Sequence, residues 1–276
     1  MNLRTTRVFE TARAESRAAV IGYLPAGFPD VDASVALIDE MLAGGVDLVE
    51  VGLPYSDPLM DGAAIQEAVE MALAAGTTTG DVLSVVDRIG ARAEQAVVVM
   101  SYWNPIERFG VDRFATGLAD AGGSGVITPD LTPEEAGAWI AATSSQDLDR
   151  TFLVAPSSTD ERIDTVVNAC SGFVYAASTM GVTGARDQVS SAAPTLVARV
   201  RERTTAPIGV GLGVSSSDQA AAIAGYADGV IVGSAFVRRI LQADDLSSAR
   251  HAVRSFAEEL AEGVRRPLAS APAAAN

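Results

Sequence analysis

The side chain in this sequence best suited to proton transfer is Glu50, in the run Val46-Asp47-Leu48-Val49-Glu50-Val51-Gly52. Successive strand residues face opposite ways, so Val49 and Val51 share one face while Leu48, Glu50 and Gly52 share the other. Two valines suit a layer covered by helices, which turns Glu50 toward an enclosed interior. A carboxylate there loses solvation and its pKa rises, the tuning a general acid–base needs near neutral pH. A structural carboxylate hydrogen-bonded at the mouth of a barrel would occupy the same place. The loop that follows, Pro54-Tyr55-Ser56-Asp57-Pro58-Leu59-Met60-Asp61-Gly62, brings two more carboxylates. Asp57 before Pro58 also fits turn chemistry, and Asp61 also fits an N-cap for a helix starting near Ala63. Tyr102, Asp130 and Tyr175 follow later strands; the two tyrosines fit a reactive site or a wet rim equally well.

A second chemistry is anion binding. Gly181-Val182-Thr183-Gly184, Gly211-Leu212-Gly213-Val214-Ser215 and Gly233-Ser234 each follow a strand-like run. Glycine lets an anion approach backbone N–H groups, and loops after the last two strands of an eight-stranded α/β barrel recurrently bind phosphate beside a helix N-terminus. The chain contains no lysine, so all 20 of its basic residues are arginine. Backbone dipoles are then the natural holders of a phosphate, and Schiff-base chemistry, which requires a lysine amine, is excluded. One histidine, His251, and one cysteine, Cys170, are too few for a structural zinc site or a disulfide framework. His251 reads as a solvated residue of a helix and Cys170 as packing. The proton work falls to carboxylates and tyrosines.

The elements that would position these groups are repeated. Strand-like runs are expected at Ala18–Leu24, Asp47–Leu53, Ala96–Ser101, Gly125–Thr128, Thr151–Val154, Phe173–Ala176, Ile208–Gly211 and Gly229–Val232. Helical patterns such as Val31–Leu42, Val111–Ala121, Pro133–Ala142, Glu161–Ala169, Ala193–Arg203 and Ser217–Tyr226 separate them. Eight strands joined by crossover helices predict a (β/α)8 TIM barrel, with an extra amphipathic helix at Arg4–Ser16 to plug its bottom. A length of 276 residues, 48% hydrophobic, suits one such domain, expected over 1–262, with a disordered tail over 263–276. The formal charge of −15 argues against nucleic acid and anionic membranes as partners. The N-terminal residues carry no apolar signal core and no apolar run reaches about 20 residues, so a cytoplasmic location is expected.

The order of motifs resembles one family. Val49-Glu50-Val51-Gly52-Leu53-Pro54-Tyr55-Ser56-Asp57-Pro58, then Asp61-Gly62 and Ile65-Gln66, is similar to the signature of tryptophan synthase α subunits. Tyr102-Trp103-Asn104-Pro105, Ser178 through Ala185, Gly209 through Gly213 and Ala227 through Ala235 extend the resemblance over nearly the whole barrel. It implies retro-aldol cleavage of indole-3-glycerol phosphate to indole and glyceraldehyde 3-phosphate, with Glu50 and Asp61 as the catalytic pair. Tyr23, Tyr102 and Tyr175 would line the substrate site. Thr183 would sit on a mobile loop, and Gly184, Gly213, Gly233 and Ser234 would hold the phosphate. Pro54, Asp57 and Asp130 would face a β subunit in an α2β2 complex, with no cofactor on this chain and pyridoxal phosphate on the partner. A stand-alone indole-releasing lyase and a non-catalytic activator of a β subunit are the alternatives. Ala63-Ala64 departs from the usual proline and small polar residue, which is expected to loosen the helix start beside Asp61. Ser101 and Leu212 replace a threonine and a phenylalanine found in other versions.

Overall fold

The structure is a computed structural model that describes residues 2–91, 94–177, 192–211 and 213–266. Its strands are β1 (Ala19–Pro25), β2 (Leu48–Gly52), β3 (Ala96–Met100), β4 (Gly125–Ile127), β5 (Asp149–Thr151), β6 (Leu153–Val154), β7 (Val174–Ala177), β8 (Ile208–Gly211) and β9 (Gly229–Val232). All pair in parallel, in the order β5-β4-β3-β2-β1-β9-β8-β7-β6. That order is a ring, because β5 and β6 are successive pieces of one segment. The first piece pairs with β4 and the second with β7.

The segment expected as a single strand, Thr151–Val154, therefore starts two residues earlier and breaks at Phe152. Side-chain chemistry explains the break. The Phe152 N–H donates to Cys170 Sγ at 3.3 Å instead of to a neighbouring strand. Cys170 is thus a hydrogen-bonding group at the seam as well as packing, and burial pushes its thiol pKa up to about 12.

Helices cover the ring: α1 (Leu3–Ala14), α2 (Val31–Ala43), α3 (Ala63–Ala74), α4 (Thr79–Gly90), α5 (Trp103–Phe109) and α6 (Val111–Asp120) precede α7 (Gly137–Ser145). After it come α8 (Asp160–Ala169), α9 (Ala192–Arg201), α10 (Ser217–Ala224), α11 (Ser234–Leu241) and α12 (Leu246–Gly263). The helix expected from Pro133 begins only at Gly137. Residues Thr132 to Ala136 instead form tight turns, with Glu135 and Ala136 N–H groups donating to Thr132 and Pro133 carbonyls. His251 is exposed on α12, as expected. Val264 is still buried, and the tail from residue 267 lies outside the described residues. Among the described residues no helix is long and apolar enough to cross a membrane.

The strand alternation sorts the core into two shells. Val49, Val51, Val97 and Val99 pack outward under the helices. Ala19, Ile21, Leu48, Ala96, Val98, Ile127, Phe173 and Ile231 fill the interior. The interior shell is closed from below by α1, whose Val8, Phe9 and Ala12 join it. Phe9 stacks on Phe173 with ring centroids 5.6 Å apart. The plug is pinned by its first residues: the Asn2 N–H donates to Asp149 Oδ1 at 3.0 Å, and Arg4 donates to the Gly90 and Gly122 carbonyls.

Truncating a buried aromatic side chain costs about 3–5 kcal/mol when the cavity cannot collapse. Phe9→Ala should lower stability by roughly that amount in denaturant unfolding. Its kcat under native conditions should stay near the wild-type value, because the plug lies at the end of the barrel away from the carboxylates described next.

Candidate active site

Glu50 sits at the centre of β2, with Tyr23 of β1 and Val98 of β3 as its register partners. It is 2% exposed, and its Oε1 has no hydrogen-bond partner among the described residues. Val49 and Val51 on either side belong to the outer shell and Leu48 to the inner one, so the side chain stands on the interior face that alternation assigned to it. Burial without a compensating partner pushes its pKa up to about 8. At neutral pH Glu50 is therefore largely a neutral acid that can both give and take a proton.

Two tyrosines, Tyr23 buried and Tyr175 half-buried, reach across the same layer. A Cβ on Gly52 would collide with the Tyr23 hydroxyl, and one on Gly211 with the Tyr175 hydroxyl. Glycine at these two strand ends is what lets each phenol lie over the strand terminus. Burial, with the negative charges of Asp61 and Glu50 nearby, raises the pKa of both phenols. Tyr23, Tyr175, Glu50 and Asp61 thus form one electrostatic cluster, and both tyrosines stay protonated.

Asp61 is 7% exposed and lies between β2 and α3. The N-cap of α3 is Gly62, which makes no side-chain cap bond, so the capping role open to Asp61 in the sequence is not the one it takes. Its Oδ1 accepts from the Tyr102 hydroxyl at 3.2 Å. Its carbonyl accepts from Gln66 Nε2 at 2.6 Å. Burial raises its pKa, and the hydrogen bond from Tyr102 opposes that rise. The helix forms from Ala63 despite the missing proline, with the Gln66 bond securing its entry. Sequence reasoning missed this contribution of Gln66; a side-chain amide in the first turns of a helix beside a candidate acid is the signal that was there to use.

The anion-binding candidates gather at the ends of β8 and β9, which are neighbours. Gly213 has φ +65°, in the left-handed region that suits glycine. Gly233 is the N-cap of α11 and lies against the Tyr23 ring, which a Cβ would meet at 3.2 Å. Ser234, the first residue of α11, is buried. The first N–H groups of a helix lack intrahelical acceptors, so this end presents donors on the same side of the barrel as Tyr23. Thr183 and Gly184 lie outside the described residues. Pro54 is buried, whereas Asp57 and Asp130 are exposed. Asp130 Oδ1 accepts from the Trp103 N–H at 2.9 Å and so marks the start of α5.

The chain is similar over residues 9–265 to the family described as tryptophan synthase alpha chain. Relatives of that name include one from Mycobacteroides abscessus, 60% identical over 95% of this chain and 98% of its own. Another, from Thermobifida fusca, is 59% identical over 94% of this chain and 97% of its own. A solved structure of Mycobacterium tuberculosis tryptophan synthase matches at TM-score 0.90 and 54% identity, covering 97% of this chain and all of that chain (100%). A tryptophan synthase subunit alpha from Legionella pneumophila matches at TM-score 0.84 and 30% identity, over 96% and 98% of the two chains.

The burial of Glu50 has a measurable cost. Its folded pKa, about 8, lies above the ordinary 4.5, so between these values the folded state holds a proton that the unfolded state has lost. The contribution of Glu50 to stability is fully present below pH 4.5 and falls away as pH rises toward 8. Glu50→Gln cannot ionise, so chemical unfolding at pH 9 should find it gaining on wild type relative to pH 5.

Proposed function

The chain belongs to the tryptophan synthase alpha chain family, carbon–carbon lyases that cleave indole-3-glycerol phosphate, and on that premise we propose that Glu50 and Asp61 divide the proton transfers of the cleavage. The observation that carries the proposal is the buried Glu50 carboxyl, its Oε1 without a hydrogen-bond partner among the described residues, facing the same two tyrosines as Asp61. The reaction breaks the bond between indole C3 and the glycerol carbon that bears the adjacent hydroxyl. C3 must first gain a proton, which leaves positive charge on the ring nitrogen. The hydroxyl then loses its proton as the aldehyde forms, and the electrons of the broken bond return to the ring.

Glu50 is matched to both proton steps. As a neutral acid it protonates C3, and as the resulting carboxylate it accepts the hydroxyl proton, so the enzyme ends as it began. Its pKa of about 8 makes either direction accessible near neutral pH. Asp61, kept toward its ionised form by the Tyr102 hydrogen bond, balances the charge on the ring nitrogen and accepts a hydrogen bond from its N–H, which the ring keeps throughout. Unequal environments for two carboxylates are the usual route to split acid and base roles.

Gly213, Gly233 and Ser234 supply the described part of the phosphate site, with Gly184 expected beside them. Tyr23 and Tyr175 wall the indole. The products are indole and glyceraldehyde 3-phosphate. A chain without lysine cannot form the Schiff base that pyridoxal phosphate requires, so that cofactor belongs to the β partner, which takes up the indole. We assign the pair an α2β2 assembly in the cytoplasm, with Pro54, Asp57 and Asp130 toward the partner.

Positioned proton transfer contributes roughly 10²–10⁴-fold to rate. Glu50→Gln should lose indole-3-glycerol phosphate cleavage by about that factor, with and without a cognate β subunit, while still binding that subunit. Indole release is the readout. Near-normal cleavage by this variant contradicts the assignment. Wild-type protein that binds and stimulates β yet releases no indole would be an activator only.

A further inference from the structure

We propose that Tyr102 is a positioning residue whose hydroxyl holds Asp61 and its loop in place and makes no bond to substrate. The inference rests on the role assigned to Asp61 above. The family resemblance puts Tyr102 among substrate-lining residues, but the hydrogen-bond capacity of its hydroxyl points elsewhere. A phenol has one proton to donate and two lone pairs to accept with. The Tyr102 oxygen accepts from the Met60 N–H at 3.0 Å and from the Leu59 N–H at 3.2 Å. Its proton goes to Asp61 Oδ1 at 3.2 Å. All three positions are taken, all by consecutive residues of one loop, and the side chain is buried.

The anchor belongs to a junction of regular elements, the loop to none. Tyr102 is the N-cap of α5 and stands two residues beyond the end of β3. Its ring packs on Tyr55, from the start of the same loop, at a centroid distance of 5.4 Å. Asn104, the second residue of α5, donates to the Tyr55 hydroxyl at 3.1 Å. The loop is thereby fastened to β3 and α5 at both ends, while Gln66 ties the Asp61 carbonyl to α3. The α3 start has no side-chain cap of its own, so the Asp61 carboxylate depends on Tyr102 for its direction.

The same bond sets when Asp61 is charged. The titratable groups that face it are Tyr102 from α5, Tyr23 from β1 and Tyr175 from β7, with Glu50 of β2 against the last two. Of these, the Tyr102 hydroxyl is the group that donates to the carboxylate. Without that donor the buried carboxyl protonates at higher pH.

The experiment compares wild type, Tyr102→Phe, Asp61→Asn and the double variant in indole-3-glycerol phosphate cleavage across pH, in the complex with β. A misplacement of about 1 Å costs on the order of 10²-fold. Tyr102→Phe should therefore lose roughly 10–100-fold in kcat with little change in KM, and the acid limb of its kcat profile should move to higher pH. The double variant should be no worse than Asp61→Asn, because the tyrosine acts through the aspartate. Replacing Tyr102 with 3-fluorotyrosine keeps the shape and strengthens the donor, so the acid limb should move the opposite way. That variant preserves the three bonds if Tyr102→Phe proves unstable. A rise in KM with kcat and pH profile intact, or full additivity in the double variant, overturns the positioning role. Asp61→Asn retaining near-wild-type cleavage would instead sink the role of Asp61, a result the Tyr102 variants cannot imitate.

Discussion

The structure turns on one unfavourable placement: an acid side chain inside an apolar barrel, with no bond to one of its oxygens among the described residues. Everything around Glu50 makes that placement tolerable or useful. The outer valines of β2 fix which way the side chain faces. The plug helix α1 seals the opposite end of the interior and Leu48 fills the layer between. Protonation then removes the charge that the surroundings cannot solvate. A group kept neutral by its setting at neutral pH, and held on a rigid strand, is prepared for proton exchange with carbon, which solvent-exposed carboxylates perform poorly.

Asp61 illustrates the complementary solution. It is carried by a loop, so its direction must come from neighbours and not from its own backbone. Tyr102 and Gln66 provide that direction from two different helices. The two carboxylates therefore differ in what holds them as well as in how readily they ionise. At the proposed phosphate end, in a chain without lysine, glycines and the start of α11 would stand in for a side-chain cation.

The barrel was legible because alternation and glycine placement are local signals. The inward face of Glu50, the strands at Ile208–Gly211 and Gly229–Val232, and the plugging role of the first helix all follow from spacing alone. The break at Phe152 was not legible, since it depends on Cys170 arriving from a distant segment to accept an N–H. The late start of α7 was obscured by Pro133, which is compatible with a first helical turn yet here closes a turn before it. Alternation placed Glu50 on the inward face, and glycine spacing placed Gly213 and Gly233 after β8 and β9. The sequence left the partners of Asp61 unassigned, because hydrogen bonds between a loop and the first residues of two separate helices leave no periodic trace.

The most direct test of this account is the ionisation of Glu50 itself. Carboxyl ¹³C NMR of glutamate-labelled protein, titrated with Glu50→Gln as the assignment control, reads it without reference to turnover. The account predicts one glutamate still protonated at pH 7, titrating near the value of about 8 and missing from the variant. A spectrum in which every glutamate is ionised by pH 6 would contradict it, and the division of labour between Glu50 and Asp61 would have to be redrawn.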